Sequence, residues 1–214
     1  MTPALMAPLR DLQTTLEQIY ALAPVPDIRR FLVTDRHLAV HLGAVDDDLD
    51  EALLVLERDG ELNLSLFLDA SVLAQVAGGA VDADNLGAWL LATEGVSHFV
   101  YLAARAEVNR PVSQLEMELQ GEIDKFVVVE QLLQGQGVSV PDAALLHWLF
   151  DQPALRSSLD AEQRWRYRTA ARLARHYCVR LPTSRRPEQR HRTLRDFYRL
   201  AGAQKIQRIR RLTH

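Results

Sequence analysis

His98, Glu118 and Glu122 are the residues whose types and spacing best suit chemistry. Glu118 and Glu122 are four residues apart, so on a helix both carboxylates lie on one face, one turn apart. The preceding segment, Val96 to Arg105, reads as a buried strand in which His98 shares a face with Val96, Val100 and Leu102. If that strand and the helix meet, an imidazole and two carboxylates can bind a metal ion or divide acid and base roles. A metal-assisted hydrolase or nuclease is therefore one expectation. Lys125, three residues after Glu122, supports a simpler reading in which this face is salt-bridged. Ser97 next to His98 makes no nucleophile and base pair, because neighbours on a strand point to opposite faces.

Two other patterns resemble metal sites and fall short. Asp46, Asp48 and Asp50 fit positions 1, 3 and 5 of a calcium loop and Glu57 fits position 12, but Glu51 stands where the sharp turn demands glycine. His37 and His41 have i,i+4 spacing within an apolar run that favours a strand, which would hold their rings roughly 13 Å apart. The single cysteine, Cys178, lies on the apolar side of a helix and reads as a small buried thiol. Phosphate-loop glycine patterns, CxxC pairs and HExxH are absent, and no cofactor is expected.

Charge is distributed unevenly. Residues 1–150 hold 8 Arg/Lys against 23 Asp/Glu, a balance of −15, whereas residues 151–214 hold 17 against 5, a balance of +12. On the helix expected from Ala161 to Leu181, Arg164, Arg168, Arg172 and Arg175 form one stripe, opposite an apolar face that includes Leu173, Ala174, Tyr177 and Cys178. Such a stripe can pair with the chain's own acids, grip an acidic protein surface or a second copy of the chain, or neutralise nucleic-acid phosphates. The acidic first part and the lack of a nucleic-acid-binding signature place protein or self contact ahead of nucleic acid. The principal expectation is thus a non-enzymatic interaction protein that binds an acidic macromolecular surface through these four arginines. Glu116 and Glu130 fall in or beside the apolar stripe of the helix before this segment. Each must find a cation or a donor there, and the basic segment could supply one.

The elements that would position these groups read as α+β. An amphipathic helix over residues 5–22 carries Leu5, Leu9, Leu12, Leu16 and Tyr20 at steps of three and four. Short strands are expected at 30–34 and 37–42, and a hairpin at 53–68, turning at Asp59-Gly60. A short helix at 70–76, another at 84–93, the 96–105 strand and a long helix capped by Asn109 complete an acidic domain over 1–135. A mainly antiparallel sheet packs with the long helices in that domain. Residues 136–214 read as a helical, arginine-rich segment, and Asp160 with Gln163 makes a capping box for the arginine-stripe helix. No apolar run approaches the roughly 18 residues of a membrane span, and the N-terminus lacks a basic region followed by an apolar one. The expected location is the cytoplasm.

Overall fold

Leu9, Leu12 and Leu16 form the buried face of α1 (Pro3–Tyr20), as their spacing predicts. The computed structural model describes residues 3–43, 49–58, 60–151, 159–182 and 186–212, and over these the chain is α+β and mostly helical. It divides into two compact units, one made of residues 1–17 and 22–110 and the other of residues 18–21 and 111–214. The last turn of α1 thus belongs to the second unit. Among the described residues no helix is long and apolar enough to cross a membrane.

In the first unit, Gln13 on the buried face of α1 fixes the proline-rich exit. Its amide donates to Glu17 Oε1 at 2.8 Å and to the Pro26 carbonyl at 3.1 Å, and it accepts from the Ile28 N–H at 3.0 Å. A buried amide with donors and acceptors all matched stabilises one loop path over others. The sheet has three strands in the order β1 (Leu32–Val33), β3 (Glu61–Leu68), β2 (Glu51–Arg58). β2 and β3 form the expected antiparallel hairpin, with Arg58 opposite Glu61 and Gly60 at a φ of +79°. Asp59 lies outside the described residues. β1 pairs with β3 in parallel, so the sheet is mixed and small, not mainly antiparallel. Leu66, Phe67 and Leu68 are buried at the proximal end of the hairpin, while Val55, Leu56 and Leu62 are exposed toward its tip.

Two expected strands are helices. The run from His37 to Leu42 falls in α2 (Arg36–His41), because Asp35 accepts from the His37 and Leu38 N–H groups and so caps a helix. Residues 84–105, expected as a helix followed by a strand, form the single helix α4 (Leu86–Ala106). It is buried around most of its circumference and packs against α3 (Ala70–Val76), β2 and β3. Burial on all sides removes the amphipathic period by which a helix is read from sequence.

Asp69 caps α3 by accepting from the Ser71 N–H at 2.9 Å and the Ser71 hydroxyl at 2.6 Å, and it holds Arg36 at 2.8 Å. The Ser71 bonds first, and then Arg36, hold its carboxyl down at about 2. A folded-state value below the unfolded one contributes stability above about pH 4, which is lost as pH falls toward 2. Asp69→Asn retains the cap without the charge. Its melting temperature, compared with that of the unaltered protein from pH 6 down to pH 2, should show a difference that closes over the acid end of that range.

The second unit is helical. Its axis is α5 (Gln114–Gly135), which packs most extensively against α7 (Ala161–Cys178). Ser113, not Asn109, caps α5 by accepting from the Glu116 N–H. Asn109 instead takes a φ of +50° and bonds back to Ala106 O at the end of α4, a left-handed position that asparagine tolerates. Ala170, Ala171 and Ala174 are all buried on α7, and small side chains there let two helices approach closely. α6 (Asp142–Leu146), a π-helical turn (His147–Asp151), α8 (Pro187–Tyr198) and α9 (Gly202–Arg211) complete the unit. The Asp160–Gln163 capping box forms as expected. Cys178 is buried and its thiol is pushed well above the ordinary value by that burial, so it is an inert core group.

Candidate functional site

The units divide charge as well as contacts. By sequence the first holds 7 Arg/Lys against 17 Asp/Glu, a balance of −10, and the second 18 against 11, a balance of +7. Much of the opposition is satisfied within the second unit, where α5 meets the arginine-rich helices. Arg190 pairs with Glu130, donates to the Pro182 carbonyl at 2.7 Å and stacks over Phe126. Arg166 lies 3.7 Å from Glu118, and Lys125 2.9 Å from Glu122. Glu116 is buried against the first residue of α9, where a Cβ added to Gly202 would meet its Oε2 at 2.7 Å. The positive end of a helix favours a carboxylate at that place.

The four arginines of the expected stripe divide into two pairs. Arg164 donates to the Leu159 carbonyl at 2.6 Å, and Arg175 binds Asp151 at 2.6 Å on the π-helical turn. Arg168 and Arg172 are exposed and, among the described residues, have no partner. Trp165 precedes them on the same face at i, i+3, i+7 spacing and is 59% exposed. An indole open to water beside two exposed guanidinium groups offers a partner an aromatic surface and two cations together. The tryptophan was missed in sequence because its place among arginines suggested only a charged face. Between α7, α8 and α9 a cleft of about 460 Å³ is lined by Tyr177, Thr193, Phe197, Arg208 and Arg211, adding basic and aromatic surface to the same unit.

His98 lies in the first unit, on α4, whereas Glu118 and Glu122 belong to the second. The carboxylates that stand beside His98 are Glu51, at the start of β2, and Glu94, one turn earlier on α4. One ligand atom from each of the three lies within 4.8 Å of the others. His98 is 5% exposed, and its Nδ1 is 3.9 Å from Glu51 Oε1. Glu94 and His98 form an i,i+4 pair that becomes visible only when 96–105 is read as helix.

His37 and His41 are exposed on α2, where i,i+4 spacing puts both rings on one side, in place of the wide separation expected of a strand. Of the calcium-like loop, Asp46 and Asp48 lie outside the described residues, and Glu57 is an exposed residue of β2. Compared with known proteins, the chain matches no family model, no curated protein and no solved structure. Its class therefore rests on its own architecture, a mostly helical α+β protein with a small mixed sheet.

Proposed function

We propose that the chain is an interaction protein whose α7 face docks on an acidic protein surface. The observation that carries this reading is the exposed row of Trp165, Arg168 and Arg172, while the neighbouring cations Arg166 and Arg190 are paired with carboxylates of α5. Aromatic and arginine side chains together are the composition of binding hot spots, since a guanidinium pairs bidentately with carboxylate and an indole buries a large area. Arg175 takes part as the end of the stripe, positioned by Asp151, and Arg164 as its start.

Trp165 also reports on binding. Titrating the full chain with polyglutamate should change its fluorescence, and the apparent affinity should weaken as salt rises, as screening requires. The Arg168→Gln/Arg172→Gln variant should bind at least tenfold more weakly with unchanged melting, because neither side chain contacts the core. Equal binding by the variant would sink the assignment. A preference for single-stranded nucleic acid over polyglutamate at matched charge would move the face to stacking on bases instead. Concentration-dependent sedimentation that the same substitutions abolish would make the acidic surface that of a second copy.

A further inference from the structure

We propose that Glu51, Glu94 and His98 form a binding site for one divalent first-row transition-metal cation, Zn²⁺ or Mn²⁺. The three groups come from rigid elements, two from successive turns of the buried helix α4 and one from the strand packed against it. Because their ligand atoms lie within 4.8 Å of one another, an ion at the centre sits no more than about 2.8 Å from each. Closing that to the roughly 2.0–2.2 Å of a zinc bond takes less than an ångström of side-chain rotation.

Gly95, between the two helix ligands, makes the approach possible. A Cβ at that position would come within 2.7 Å of Leu66 Cδ1 and 3.1 Å of Glu51 Oε1, so with glycine there Leu66 and the strand carboxylate lie close against the helix without having to shift. Helical spacing aims Glu94 and His98 to the same side, and β2 closes that side with Glu51. The Glu51 side chain is only 11% exposed and that of His98 6%, with Glu94 half-buried beside them. One nitrogen and two oxygen ligands suit zinc or manganese better than calcium or magnesium, which take oxygen alone. Three protein ligands leave coordination positions for water.

The test uses the full chain, stripped of metal and titrated with ZnCl₂ by calorimetry and with MnCl₂ by electron paramagnetic resonance. One equivalent should bind, melting should rise with zinc, and the manganese spectrum should carry modulation from a single imidazole nitrogen. Glu94→Gln and His98→Gln should each lower affinity by at least the roughly 10–100-fold that even an outer-shell change costs. His37→Ala/His41→Ala should leave binding unchanged. Absence of saturable binding, full affinity in both ligand variants, or loss of binding in the His37/His41 variant would each overturn the site. Should a ligand variant fail to fold, the nitrogen signal of the His37/His41 variant decides, its presence supporting the site and its absence refuting it.

Discussion

Arg190→Ala is expected to destabilise the protein by about 3–5 kcal/mol at pH 8, the cost of removing one partner from a buried ion pair. Arg190 and Glu130 are both nearly inaccessible, so Ala leaves the carboxylate buried with its cation gone and strips the guanidinium from over the ring of Phe126. The loss should depend on pH. Burial pushes the Glu130 carboxyl up to about 7, with Asp142 adding to the rise and Arg190 opposing it. A folded-state value above the unfolded one makes this group's contribution fully present below about pH 4.5 and lost as pH rises through 7. Without Arg190 the carboxyl takes up its proton more readily, and urea denaturation at pH 5 should show a distinctly smaller deficit than at pH 8. Glu130→Leu/Arg190→Met, which removes both charges, should recover much of the loss. An equal deficit at both pH values would show that Arg190 acts through packing alone.

Lys205→Met is the second large effect, expected at about 2–4 kcal/mol, because it strips a donor and a charge from a fully buried network. Lys205 is 0% exposed and donates to Gln120 Oε1 at 2.6 Å, with its ammonium 5.2 Å and 5.5 Å from the ring centres of Phe197 and Tyr198. Gln120 passes the connection on, donating to the Tyr20 hydroxyl at 3.0 Å and to Asp124 Oδ1 at 2.9 Å. Tyr20 also donates to Asp124 and stacks on Tyr198 at 4.1 Å. Burial, and next the Asp124 charge, push the Tyr20 phenol well above its ordinary value, which keeps it a donor. A urea midpoint within experimental error of the unaltered protein would show the network to be replaceable by apolar contact. Gln120→Met combined with Lys205→Met should cost less than the two single changes added together, the signature of coupled groups.

What the residues alone could convey depended on having one face in water. α1, α7, α8 and α9 each keep a polar side, and the arginine stripe and the capping box at Asp160 were legible for that reason. The hairpin was legible because Leu62, Leu64, Leu66 and Leu68 alternate beside a glycine with positive φ. α4 was not, since Val96, Phe99, Val100 and Tyr101 are all buried and their branched or aromatic types favour a strand. That single misreading hid the Glu94–His98 pair and directed His98 toward the wrong secondary structure. α2 was hidden differently, its six residues being too few to show a period, although Asp35 carried the capping signal. The pairing of Glu130 with a basic residue was anticipated in kind. Its partner, Arg190, lies on α8 and not in the stripe, whose Arg168 and Arg172 are exposed.

The buried Cys178 sits near the end of α7 with Ala174 and Tyr177 beside it in the core. As the lone sulfhydryl in the chain, it makes the helical unit its own stopwatch. A thiol reagent can reach it only in the moments when α7 opens from the core, so the rate at which the intact protein takes up a label counts those openings one molecule at a time. A ligand seated on the outer face of α7 touches nothing near that sulfur, yet by holding the helix down it would slow the count.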